Sequence, residues 1–432
     1  MKKNIFAILL ATLVSVSCAK QLNLYPHSAI SPDGVTSADI PALRNGVYSA
    51  MQTKLGVTGY ICFDVLGGDL TQKNYNPIDV YNNYMKTLGS NVSSQWNNLY
   101  NQLYHVNSLI AAIDRAGISG NEAYYGEAHY FRAMIYINLV TRWGGVPVLK
   151  KNTMDKVARN TKAETWNFIN ENLETAMKYL GATDSYYLVS LDAAKALAAR
   201  AYLYQGNKAR AAELAEDLIG SKKYALESDF AKIFGYQRQS NKETIFAFYM
   251  DDTEGGLTIG SQYFTYAYEN KGSGNYFPTA SFEKIFDDMD KRKAITFVTV
   301  GTDKCLGKYP GSQAHADPVI ISRIGEIYLI SAEALGYPDG CDRLNELRAA
   351  RGLGAAAVAS QADLEEAVLL ERRFELCGEN LIWYDYIRMN KAMEKLGITK
   401  TQMLFPIPEG EIRENDLLLQ NPGWGGKEIK SE

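Results

Sequence analysis

The sequence predicts an all-α fold: tetratricopeptide-like helical hairpins stacked into a solenoid scaffold, with long irregular loops and a few short strands. Three observations carry that reading. Apolar residues recur at three- and four-residue spacing over much of the chain. Two segments of similar size each read as helix, tight turn, helix, the mark of a stacked helical repeat. Between them lie stretches rich in Gly, Asn, Asp, Thr and Tyr in which the helical period is lost.

The elements follow in order. Residues 97–116 and 161–180 are amphipathic helices. Glu122–Trp143, EAYYGEAHYFRAMIYINLVTRW, keeps its charges off an apolar stripe and stops at Gly144 and Gly145 before Pro147. Residues 192–220 read as a helix, a turn at Gln205, Gly206 and Asn207, and a second helix, with alanines at facing positions so that the two approach closely. Residues 323–336 and 342–351 form another such hairpin, and 363–391 reads as one long helical region beginning DLEEAVLLERRFEL. Residues 56–94 and 221–317 are loop insertions, with strand-like runs at 243–249 and 294–300. No Pro/Gly/Ser-rich linker divides the chain, so residues 31–432 are expected to form a single domain.

The first 17 residues have another character. Lys2 and Lys3 precede an apolar run at 5–14, and small Ser15 and Ser17 lead to Cys18. This is the layout of a secretory signal, and the run is too short for a spanning helix of about 20 residues. A cysteine at the cleavage point is similar to a relaxed bacterial lipobox, with Ser15 where Leu is common. Lipidation of Cys18 is therefore expected, with residues 18–30 as a tether; a plain secreted chain and an unprocessed one are the other readings.

The formal net charge is −4, and loss of Lys2 and Lys3 with the leader makes it two lower. A mildly acidic surface argues against nucleic acid, whose phosphates need a basic footprint. Cys62, Cys305, Cys341 and Cys377 lie far apart with no CxxC pair, against a zinc site; one or two disulfides and buried free thiols are both open. The four histidines make no HExxH motif, and no GxSxG, P-loop or strand-borne GxGxxG occurs. Residues 287–291, DDMDK, lack the glycine and terminal glutamate of an EF-hand and read as a solvated helix end. The expectation is a protein with no catalytic residues, no metal and no cofactor.

Recognition has positive support. The chain holds 29 tyrosines, and two groups sit among amides. One places Tyr75, Tyr81, Tyr84 and Trp96 near Asn82; the other places Tyr263, Tyr266, Tyr268 and Tyr276 near Asn270. Sugar rings offer C–H faces to aromatic side chains, and their hydroxyls need amide partners, so these ten residues are the ligand-binding candidates. The alternative for each ring is loop packing, and Trp96 also reads as the first core anchor of its helix.

Several segments, in order, resemble the SusD/RagB family of surface nutrient-binding lipoproteins of Bacteroidetes. They are CAKQLNLYPHSAIS; EAHYFRAMIYINLVTRWGGVPVL, with Phe131, Arg132, Ala133 and Trp143 to Pro147; and RIGEIYLISAEA, with Arg323, Glu326 and Glu333. ERRFELCGENLIWYDYIR follows, with Glu371, Arg372, Glu375, Glu379, Asp385 and Arg388, and FPIPEGEIRENDLLLQNPGW closes the chain. Asp290 and Arg292 look like a further scaffold element of that family. The resemblance implies a helical core with four tetratricopeptide-like hairpins, a lipid anchor in the outer membrane facing the cell exterior, and a SusC-like TonB-dependent transporter as partner. It implies an oligosaccharide ligand or, in RagB-like members, a peptide; a transporter-lid assembly protein with little ligand affinity is a further alternative. Leu381 and Ile382 depart from the family, which often has His and Arg there.

Overall fold

The computed structural model of the chain describes residues 35–86, 89–234, 241–250, 258–265, 272–311 and 317–430. The leader, Cys18 and the tether lie outside the described residues, as do Tyr266, Tyr268 and Asn270.

The scaffold is a run of helices, each packed on the next: α1 (Ile40–Thr53), α2 (Ser90–Ala116), α3 (Glu122–Trp143), α4 (Lys162–Tyr179), α5 (Leu191–Tyr204) and α6 (Lys208–Gly220). It continues across the second insertion with α7 (Ile324–Leu335), α8 (Gly340–Ala350), α9 (Gln361–Leu376) and α10 (Ile382–Arg388), α7 packing directly on α6. Local chemistry sets the starts. Thr161 and Glu164 form a capping box before α4, and the side chains of Ser190, Asn207 and Ser360 cap α5, α6 and α9. The alanines expected to face one another do so: Ala194, Ala198, Ala201, Ala211 and Ala215 are fully buried. The mostly helical, repeat-like fold read from the sequence is the fold of the chain.

Among the described residues, three two-stranded antiparallel ladders sit on the scaffold. They pair β1 (Leu70–Thr71) with β3 (Phe277–Pro278), β2 (Thr244–Phe248) with β6 (Val319–Arg323), and β4 (Val298–Val300) with β5 (Asp303–Cys305). The strand-like run at 243–249 is β2, whereas 294–300 divides into a helical turn, Lys293–Thr296, and β4. Strand β6 has no counterpart in the sequence reading, because VIISR lacks alternation; it is buried against β2 and α5.

Two helix boundaries also differ. Helix α2 begins at Ser90 rather than 97. The region 363–391 breaks after Leu376, because the buried Asp64 carboxylate accepts the N–H groups of Gly378 and Asn380, both at 2.8 Å, and draws the chain into a turn with Asn380 at φ 61°. The DDMDK stretch is a turn rather than a helix end, and its Asp290 is buried against Arg292 at 2.7 Å. Cys62, Cys305 and Cys377 are buried free thiols and Cys341 is a half-buried one, so between disulfides and thiols the answer is thiols.

The charged residues of the family-like segments are mostly interior. Arg323, Arg351 and Arg292 converge on the Glu375 carboxylate at 2.6, 2.7 and 2.9 Å. Arg323 and Arg351 also reach Glu243, at 3.0 and 2.7 Å, and Arg323 reaches Glu379 at 2.8 Å, where Lys308 joins at 2.8 Å. A second set links Arg200 to Glu326, Arg372 to Asp385 at 2.6 Å, and Arg388 to Glu333 and Asp385. Such pairs set the arrangement of packed helices more than they add stability. The C-terminal segment is tied back in the same manner. Trp143 Nε1 donates to Pro406 O at 3.0 Å, and Asn421 Nδ2 donates to Trp143 O at 3.0 Å and Phe405 O at 2.7 Å.

His129 illustrates a buried polar site within α3. Asn172 Nδ2 donates to Phe168 O, which turns its Oδ1 toward His129 Nδ1 (2.7 Å) and Arg132 Nε (2.6 Å). Nδ1 therefore carries the proton. Burial, and then the Arg132 charge, push the imidazole down to about 3. An unfolded histidine titrates near ~6.5, so the unfolded state takes up the proton first and this contribution is lost as pH falls below that value. Urea midpoints should fall between pH 7 and 5, and His129→Asn should flatten that slope by about one proton; an unchanged slope would contradict the assignment.

Candidate functional site

The two aromatic–amide segments meet at the β1–β3 ladder. Leu70 pairs with Pro278 and Thr71 with Phe277, which sets Gln72 beside Tyr276. The ladder is fixed from below: Arg373 of α9 clasps Asp69 through two bonds of 2.6 and 3.1 Å, and Asp69 O accepts the N–H of Thr279 at 2.9 Å. Beyond the ladder the first strand turns tightly. Asn74 takes the left-handed conformation at φ 69°, Thr71 Oγ1 donates to Tyr75 O at 2.7 Å, and Asn76 caps the helix Pro77–Tyr84. This turn holds Tyr75 out, 59% exposed.

The second strand is held by Gln262. Its carbonyl accepts the N–H groups of Asn275 (2.9 Å) and Tyr276 (3.0 Å), and its Oε1 accepts from Asn275 Nδ2 at 2.7 Å. Tyr276 is half-buried; burial pushes its hydroxyl up, and a hydrogen bond with Gln72 opposes that. Lys73 and Asp303 pair at 3.0 Å and bring the β4–β5 hairpin to the same rim. The ladder thus gathers an exposed ring, Tyr75, a half-buried ring, Tyr276, which packs against the core, and the amide groups of Gln72, Gln262 and Asn275 into one neighbourhood, called the platform below. Those are the elements for holding a polyhydroxylated ligand of low charge.

Of the ten sequence candidates, Tyr75 and Tyr276 lie on this platform. Asn82 is exposed at the C-terminal end of the helix Pro77–Tyr84, where its Oδ1 accepts from Gln402 Nε2 at 2.7 Å. Four candidates are scaffold residues. Tyr81 is buried and donates to Gln402 O at 2.5 Å, while Tyr84 is buried and donates to Thr58 O at 2.8 Å. Trp96 is buried, edge-on to Trp143 at 5.2 Å, and Tyr263 is stacked in the core on Tyr309 at 6.1 Å. These rings have no open face for a ligand, because the same aromatic body that suits a sugar also suits a core. Gln262 and Asn275 are amides of the second aromatic–amide segment, whereas Gln72 lies outside the first and has no signal in the sequence. Gln72 lies three residues before Tyr75, and only the ladder register brings it to Tyr276. Among the described residues no group of three or more His, Cys, Asp or Glu side chains could hold a metal ion.

A helical-repeat scaffold that carries loop insertions, with a ring-and-amide platform where two insertions pair, defines a binding-protein architecture. Comparison with known proteins gives the family. Residues 27–203 match a SusD-like family model described as starch-binding and associating with the outer membrane, and residues 297–403 match the SusD family model. The chain is 26% identical to SusD-like protein P2 and 25% identical to SusD-like protein P38, both of Formosa agariphila; 98% and 97% of this chain and 99% of each relative are covered. A SusD superfamily crystal structure from Bacteroides thetaiotaomicron superposes with a TM-score of 0.77 at 23% identity, covering 90% of this chain and all of that one. Surface glycan-binding protein A of the same organism, in complex with laminarihexaose, superposes with a TM-score of 0.76 at 20% identity, covering 89% and 99%. The chain belongs to the SusD/RagB family, whose members associate with the outer membrane. No helix among the described residues is long and apolar enough to cross a membrane.

Proposed function

We propose that the chain is a non-catalytic, lipid-anchored surface protein that captures an oligosaccharide on the Tyr75–Tyr276 platform and passes it to a TonB-dependent outer-membrane transporter. The carrying observation is the β1–β3 ladder, which pairs two aromatic–amide segments that lie far apart in the chain. The family's description as starch-binding and the laminarihexaose complex of one structural neighbour support a glycan as ligand class. The leader with Cys18 supports the anchor, and the family resemblance supports the transporter as partner.

Isothermal titration of the mature chain against a panel of oligosaccharides tests the reading. Tyr75→Ala and Tyr276→Ala should each weaken binding by about tenfold, since an aromatic contact contributes about 1 kcal/mol beyond its buried area. Tyr75→Ala should keep the wild-type melting temperature within about 2 °C because the ring is exposed, whereas Tyr276 packs against the core, so Tyr276→Ala should melt earlier and is titrated well below its own melting temperature. Unchanged affinity in both would remove the platform as the binding surface. Binding of peptides with no response to any glycan would favour the RagB-like alternative.

A further inference from the structure

A second feature lies apart from the platform, at the other end of the helix Pro77–Tyr84. Asn82, Met85, Lys86, Thr401, Gln402, Gly423 and Trp424 line an open cleft of about 540 Å³, within the ~300–1,000 Å³ usual for small-ligand sites. Its polar groups are oriented in advance. Gln402 Oε1 accepts the N–H and hydroxyl of Thr399, at 2.9 and 3.1 Å, so its Nε2 must face Asn82 Oδ1. That leaves Asn82 Nδ2–H free to donate. Lys86 Nζ is steadied by Asn83 Oδ1 at 2.9 Å and keeps further N–H bonds for a ligand. Trp424 is half-buried, and its Nε1–H is bound to Leu404 O at 3.1 Å, which fixes the ring in the cleft wall. Gly423, at φ +85°, lets the C-terminal turn come down on Thr401: a Cβ there would lie 2.2 Å from Thr401 Oγ1.

Among the described residues the lining holds one cation, Lys86, and no carboxylate. The nearby carboxylate of Glu428 lies outside the lining and accepts the N–H groups of Gly423 (3.0 Å) and Gly425 (2.8 Å). A fixed indole beside an ammonium and an amide N–H suits a ring with a C–H face and an anionic edge. We propose that this cleft is a separate subsite for a sugar ring that carries a carboxylate, with Lys86 and Asn82 holding the carboxylate and Trp424 packing on the ring. The proposal extends the glycan reading but uses different residues.

Tryptophan is a selective reporter of this cleft. Trp96, Trp143, Trp166 and Trp383 are between 0% and 6% exposed, and Trp424 is the remaining tryptophan. The full mature chain labelled with 5-fluorotryptophan is titrated by fluorine NMR with methyl glucuronide, methyl galacturonide and methyl glucoside, and Trp424→Phe assigns the signal. A uronide should shift the Trp424 resonance alone and bind about tenfold more tightly than the glucoside, and Lys86→Met should abolish that preference. A Trp424 signal that no uronide moves, or one that moves equally with the glucoside and is unaffected in Asn82→Ala and Lys86→Met, overturns the proposal. The platform is read independently. If Tyr75→Ala and Tyr276→Ala lose oligosaccharide binding while the Trp424 signal stays still, the platform stands and the subsite falls.

Discussion

Replacing Glu375 by alanine should destabilise the chain by about 3–5 kcal/mol, the cost of breaking a buried ion pair from one side. The Glu375 carboxylate, fully buried, receives Arg323, Arg351 and Arg292 within 2.9 Å. These three guanidiniums come from the end of β6, the end of α8 and the turn before Lys293–Thr296, so a single carboxylate joins three parts of the chain. Its loss leaves the cations with Glu243, Glu379, Glu371 and Asp290, which are already bonded elsewhere in the same network. Against a typical total of ~5–15 kcal/mol this is a large fraction, and urea unfolding of the mature chain measures it. Glu375→Gln, which keeps the shape and removes the charge, should be nearly as damaging. A loss of under about 1 kcal/mol in both would show that the surroundings relax and the pairs matter little.

The same group has a pH signature. Burial alone would raise its pKa, but the Arg351 and Arg323 charges outweigh that and hold Glu375 well below the usual carboxylate range. The unfolded glutamate titrates near ~4.3, so the native state holds fewer protons between its own low value and that one. Its contribution is therefore fully present above about pH 4.3 and is lost as pH falls through the folded value. Wild-type stability should drop steeply below about pH 4, and Glu375→Gln should lose part of that steepness.

Substituting Gly272 by alanine should disable ligand capture. A Cβ there would lie 1.7 Å from Phe264 O and 2.8 Å from Thr265 N, and backbone atoms cannot rotate away as a flexible side chain can. The next residues close the loop by Ser273 N–H to Ser261 O at 2.7 Å and Gly274 N–H to Phe264 O at 2.8 Å, and they lead into Asn275 and Tyr276. The segment must move by more than an ångström, at a cost of about 1–3 kcal/mol, and Tyr276 moves with it. Glycan affinity should fall by more than in Tyr276→Ala alone, because Asn275 is displaced too, while the helical circular-dichroism signal stays intact. Wild-type affinity in this variant would show that the loop reaches the same geometry by another path.

Much of the fold was legible because helices are written locally. The apolar period of Glu122–Trp143, the alanines of 192–220 and the turn at Gln205 to Asn207 each depend on residues a few positions apart, and each appears in the structure. What failed were features with distant partners. Strand β6 needs β2, and the break after Leu376 needs Asp64, more than three hundred positions away in the chain.

The candidate site divides in the same way. Composition picked out the two segments that meet at the ladder, since aromatic residues among amides stand out locally in the sequence. It did not separate the exposed Tyr75 from the buried Tyr81, because both are tyrosines beside asparagines and only their partners differ: solvent for one, Gln402 O and Trp383 Nε1 for the other. By itself, then, the sequence determined the repeat scaffold, the family and the two aromatic–amide segments on which the proposed binding role rests. Tertiary structure decided which rings face outward, since burial is a property of contacts between distant residues and has no local signature.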